Sequence, residues 1–129
     1  MKILVFIFTL LCSTAYSQTL EEVKAYIESK NLEHKDVVFG QVILETGWLK
    51  CTKCSLDNNN LFGFLYKGKY LYFSDWKKSV DYYVWWQKQL YKGGDYYDFL
   101  DRIGYATAKD YIPTLKIIVN QNGEQQDNS

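Results

Sequence analysis

Histidine occurs once in this chain, at His34, and that scarcity sets a first limit. A zinc site needs more ligands than one histidine can anchor, so neither a metal nor another cofactor is expected. Net charge is missing as well: 15 basic side chains face 15 acidic ones. Nothing in that balance asks for nucleic acid or an anionic membrane, and it speaks against simple electrostatic adhesion to acidic wall polymers. There is no long apolar run. Ile3 to Leu11 is unbroken apart from Thr9, which is too short to span a bilayer. It follows Met1-Lys2 and precedes Ala15-Tyr16-Ser17, the pattern of a secretory signal peptide over residues 1–17, cut after Ser17. Leu11 stands where a lipoprotein signal ahead of Cys12 wants a small residue. The expected location is therefore secreted or periplasmic, with no membrane insertion after cleavage. Cysteine is scarce too. Once Cys12 is removed, Cys51 and Cys54 remain, and in an exported chain their C-x-x-C spacing reads as a small disulfide loop. A redox motif needs a strand before it and a helix opening at it, whereas this pair follows a helix and leads into an Asn-rich loop.

What the chain has in excess is rings. Tyr82-Tyr83, Trp85-Trp86, Tyr96-Tyr97 and Phe99 crowd one stretch. Large rings fill a small core, and they also stack on sugars, so the bias alone leaves core and carbohydrate cleft both open. One domain is expected over residues 18–120, without repeats or linkers, as a monomer, followed by a polar, frayed tail over 121–129. Thr19-Leu20-Glu21-Glu22 has the form of a capping box and predicts a helix to about Lys30, with Leu20, Val23 and Ile27 on one face. A second helix, from about His34 to Gly47 or slightly beyond, is apolar nearly all round and should be the buried centre. Cys51 to Asn60 reads as loop. Leu61 to Phe73 alternates around Lys67-Gly68-Lys69 and predicts a short β-hairpin. Ser74 is the expected cap of a third helix to about Tyr91. Asp95 should cap a short helix, Tyr96 to Ile103, closed by Gly104. A last helix is expected from about Thr107 to Asn120, kinked or restarted at Pro113, the sole proline.

One acid interrupts the central apolar run. Glu45 shares a helix face with Val38, Gln41, Val42 and Leu49. Burial and the nearby helix end, at Gly47, both disfavour its ionised form. A carboxyl that keeps its proton near neutral pH suits a general acid, and protonation of a glycosidic oxygen is the reaction where that arrangement recurs. The alternative is a buried glutamate tied to a structural cation such as Arg102 or a lysine.

Gln41-Val42-Ile43-Leu44-Glu45-Thr46-Gly47-Trp48 resembles the catalytic helix of the bacterial glucosaminidases of glycoside hydrolase family 73, whose pattern is Glu, Ser or Thr, Gly, Trp. Asn60-Leu61-Phe62-Gly63 is similar to that family's second signature. Phe73 with Ser79-Val80 and Tyr83 resembles its next helix, and Gly104-Tyr105-Ala106-Thr107 with Tyr111 its closing motif. The resemblance covers roughly residues 36–118. It implies a mainly α, lysozyme-like fold of the α+β kind: about five helices around a buried central one, and a β-hairpin as one cleft wall. It implies Glu45 as the general acid and Tyr111 as its close catalytic neighbour. Trp48, Asn60, Phe62, Tyr105 and Asp75 become the candidates for substrate binding, with Asn60 and Phe62 shaping the floor. The implied activity is an exported endo-β-N-acetylglucosaminidase acting on the glycan strands of peptidoglycan. Lytic transglycosylase and an inactive glycan-binding or periplasmic interaction module are the alternatives. Two departures from the pattern matter. No Asp or Glu lies in Leu61 to Phe73, where many relatives carry a second carboxylate, and Ala108 stands where the family often has Asp. Asp57 and Asp75 flank the hairpin; failing them, the substrate's N-acetyl group or a water held by neutral groups would have to assist Glu45.

Overall fold

The computed structural model describes residues 17–127, so the expected signal peptide lies outside them except for Ser17. Helix α1 (Leu20–Glu28) opens on the predicted capping box: the Thr19 hydroxyl accepts from the Glu22 N–H and the Glu22 carboxylate accepts from the Thr19 N–H. Val23 and Ile27 on its inner face are fully buried, with Leu20 packed at the edge. Helix α2 (Lys35–Thr46) is the centre. Every residue from 37 to 43 is buried, as its apolar circumference demands. Gly40 lets the last helix, α5 (Tyr111–Asp127), come close: a Cβ there would stand 2.8 Å from Val119 Cγ2 and 3.1 Å from Leu115 Cδ1.

After α2 the chain winds the other way. Gly47, Trp48 and Leu49 all have positive φ, between 53° and 61°. The Thr46 hydroxyl accepts from the Leu49 N–H, and the Cys51–Cys54 disulfide closes the segment just beyond. The stretch expected to be plain loop contains one 3-10 turn, Ser55–Asn58. The hairpin is shorter than its alternation predicts. Strands β1 (Leu65–Tyr66) and β2 (Lys69–Tyr70) pair antiparallel, Leu65 with Tyr70 and Tyr66 with Lys69. Residues 61–62 instead form a turn, and Leu61, Phe62 and Phe64 sink into the core.

Helix α3 (Trp76–Leu90) is capped by Asp75, not Ser74; Asp75 Oδ1 accepts from the N–H groups of Lys77 and Lys78. Helix α4 (Tyr96–Arg102) starts at the predicted Asp95 cap. The expectations for the C-terminal region need correction twice. Pro113 causes neither kink nor restart, because α5 begins only at Tyr111. That places the proline in the first turn, where no intrahelical N–H bond is required. The helix also runs on to Asp127 through residues expected to fray; Gln and Glu are good helix formers despite their polarity. Within the described residues the protein is thus five α-helices and one two-stranded sheet, the mainly α arrangement expected. The ring excess is largely core: Tyr83, Tyr96 and Phe99 are essentially buried, and Trp86 packs against Tyr83 and Phe99.

Candidate active site

Glu45 sits in the last turn of α2 and is mostly buried. Burial pushes its carboxyl above the ordinary value, and the neighbouring Tyr111 hydroxyl pulls it partly back. No cation is among the groups acting on it, so the structural-salt-bridge alternative finds no support; Arg102 is exposed in the last turn of α4. From the hairpin side, Gly63 closes over the carboxylate. A Cβ on Gly63 would lie 2.5 Å from Glu45 Oε2, and the residue holds φ +67°. Only glycine meets both demands, which gives the Asn-Leu-Phe-Gly sequence a physical reason.

Asn60 sets that closure. Its amide donates to the Phe64 and Leu71 carbonyls at 2.8 and 3.1 Å and accepts from the Phe64 N–H at 3.0 Å. Asn60 and Phe62 are both wholly buried. They hold the turn from behind and offer no surface to a ligand, which corrects their expected place as substrate contacts. The Phe62 carbonyl accepts from the Tyr105 hydroxyl at 2.5 Å, and Tyr105 in turn lies 5.8 Å, centroid to centroid, from Tyr111. Burial pushes both phenols well up, so both remain neutral donors.

Two grooves flank this group. One, about 310 Å³, is lined by Gly63, Phe64, Leu65, Trp86, Ile103 and Tyr105. The other, about 350 Å³, runs past Tyr97, Ala106, Thr107 and Tyr111. A hollow of about 600 Å³ between α1 and the start of α3 contains none of the site residues. Trp48 is not part of the constellation either. It is partly exposed and lines a separate groove with Leu20, Lys24, Phe39 and Asn122. Asp75 is committed to its helix cap, and Asp57 is exposed on the 3-10 turn. No carboxylate appears among the groups that shift Glu45.

Gln41, a same-face neighbour of Glu45, belongs to the site although it is not among the expected site residues. Gln41 is completely buried, its amide pointing to Tyr111 and Tyr83. The signal was available: an uncharged polar residue four positions before Glu45, inside an apolar helix, needs partners. Among the described residues no cluster of His, Cys, Asp and Glu could hold a metal ion.

A mostly buried carboxyl beside a neutral phenol, with grooves close to that phenol, is equipped to give a proton to a bound ligand. No curated protein and no solved structure compared with the chain matches it. The family described as mannosyl-glycoprotein endo-beta-N-acetylglucosaminidase matches residues 20–124, a span from the first helix almost to the end of the last. With a match over most of its length, the chain belongs to the glucosaminidase family, glycoside hydrolases that act on glycans.

Proposed function

We propose that the protein is an exported endo-β-N-acetylglucosaminidase that cuts the glycan strands of peptidoglycan, with Glu45 as its general acid. The observation that carries this reading is the environment of Glu45: burial raises its proton affinity, Tyr111 stands beside it, and Gly63 closes over the carboxyl. In the reaction, the protonated Glu45 gives its proton to the leaving glycosidic oxygen as the C–O bond breaks and the sugar ring takes on oxocarbenium character. With no second carboxylate acting on Glu45, the N-acetyl carbonyl of the substrate is the group best placed by chemistry to meet the developing cation. Water then opens that intermediate, and Glu45, now ionised, takes the water's proton. Such a double displacement retains the anomeric configuration, whereas direct attack by water inverts it. Export rests on the signal-like residues 1–17, and the Cys51–Cys54 disulfide suits an oxidising compartment.

The single acid also suits a lytic transglycosylase, in which an internal hydroxyl replaces water and leaves an anhydro ring. Digestion of purified peptidoglycan, with the new ends identified by mass spectrometry, separates the two. Reducing N-acetylglucosamine ends are the expected product. Glu45→Gln should lose about 10²–10⁴-fold in rate, the usual range for a general acid. Asp75→Asn should keep most activity, since Asn also caps helices. A folded Glu45→Gln as active as the wild type overturns the reading.

A further inference from the structure

Behind Tyr111 runs a string of buried polar groups that the reaction scheme leaves unused. It begins at the peptide of Glu33, between α1 and α2. The Glu33 N–H donates to Gln87 Oε1 and the Glu33 carbonyl accepts from Gln87 Nε2, both at 2.9 Å. These two bonds fix which way the Gln87 amide faces. Its Nε2 also donates to the Tyr96 hydroxyl oxygen at 3.0 Å. The Tyr96 and Tyr83 hydroxyls are 2.7 Å apart, and Tyr83 donates to Gln41 Oε1 at 2.5 Å. Gln41 Nε2 then donates to the Tyr111 oxygen at 3.4 Å, and the Tyr111 hydroxyl is in turn a neighbour of the Glu45 carboxyl.

The direction of each bond follows from one end. An amide NH₂ can only donate, so the Tyr96 oxygen accepts from Gln87. The hydrogen between the two phenols is then that of Tyr96. The Tyr83 hydrogen goes on to Gln41, which must present its oxygen to receive it, and its NH₂ therefore faces Tyr111. Tyr111 finds no acceptor behind it, which leaves its hydrogen free to turn toward Glu45. Gln41, Tyr83, Tyr96 and Gln87 are all buried, so water cannot relieve a reversed link.

We propose that this one-way string is a positioning device: Gln87, Tyr96, Tyr83 and Gln41 aim the Tyr111 hydroxyl at Glu45 and keep it there as a donor. The inference rests on the reading of Glu45 as general acid. The titratable groups facing Glu45 are Tyr111 from α5 and Tyr105 from the segment before it, with neutral Gly63 opposite. Breaking the string frees the Gln41 amide to turn over and offer its oxygen to Tyr111. The Glu45 anion then loses its donor, so the carboxyl keeps its proton to higher pH and is less firmly held.

Tyr83→Phe is the direct test, because it keeps the ring that packs on Phe62 and Trp86 and removes only the hydroxyl. The expected result is a lower kcat with KM kept, and an alkaline limb of the pH–rate profile moved to higher pH. Tyr111→Phe should move the limb at least as far, and the double variant no farther than Tyr111→Phe alone. Tyr96→Phe, one link back, should give a smaller shift of the same sign, and it serves if Tyr83→Phe does not fold. Folding is checked by near-UV circular dichroism. An unmoved limb in the folded variants, or additive shifts in the double variant, overturns the string while Glu45→Gln stays dead. Activity surviving in Glu45→Gln instead overturns the reading beneath it.

Discussion

Burial makes Glu45 hold its proton, and the same burial weakens the folded chain once the proton leaves. In the unfolded chain a glutamate titrates near an ordinary carboxyl value, about 4.3. The folded value lies above that, so the contribution of Glu45 to stability is fully present below the ordinary value and is lost as pH rises through the raised one. Glu45→Gln should therefore melt close to the wild type at acid pH and increasingly above it toward neutral and alkaline pH. Thermal scans across pH check this, and a constant difference at all pH values would contradict it. Gly63 makes the second argument at this scale. Gly63→Ala suffers twice, from its positive φ and from a Cβ driven against Glu45 Oε2. Gly68 also has positive φ, but open space around it. Gly68→Ala should lose about 1–2 kcal/mol of stability, and Gly63→Ala at least as much. Only Gly63→Ala should also lose activity, by about 10²-fold, the effect of misplacing a catalytic group by roughly an ångström. Denaturation and rate measurements on the pair separate backbone strain from displacement of the carboxyl.

Helix starts were legible in the sequence because capping is local chemistry: Thr19 with Glu22, and Asp95, act within one turn of themselves. The start of α3 was missed by one residue because Ser74 and Asp75 are both good caps, and only the observed bonds to Lys77 and Lys78 decide between them. The Pro113 kink was misjudged because its effect depends on where the helix begins, and residues 107–110 form bends and turns ahead of it. The hairpin was overextended because alternating rings mimic a strand, whereas Phe62 and Phe64 are held inward by turns anchored on Asn60. The C-x-x-C pair is legible as a loop closure because its two cysteines are only three positions apart. It follows three successive left-handed residues, two of them with side chains that resist that conformation. Cys51→Ser with Cys54→Ser should cost about 2 kcal/mol, the loop-closure value for so short a ring. Chemical denaturation of the wild type with and without reductant should give the same difference.

Across the molecule, Glu45 and the sequence motifs around it were visible beforehand, but not which of their residues touch one another. Asn60, Phe62 and Trp48 belong to the same signatures as Glu45, yet two of them are buried supports and the third lies on another groove. A motif records that residues serve one structure; contact is decided by packing of segments far apart in sequence, such as Tyr105 on Phe62 or Tyr111 on Gln41. The ring cluster has a practical consequence. Trp86 is packed among Tyr83, Phe99 and Tyr105, and it also lines the groove beside Gly63. It is thus an optical probe already built into the protein. With Trp48, Trp76 and Trp85 changed to Phe, its fluorescence reports occupancy of that groove alone. Titrating a glycan fragment into the Glu45→Gln form of this protein should shift its emission in a saturable way, whereas silence would mean that sugars lie along the other groove, past Tyr97 and Thr107.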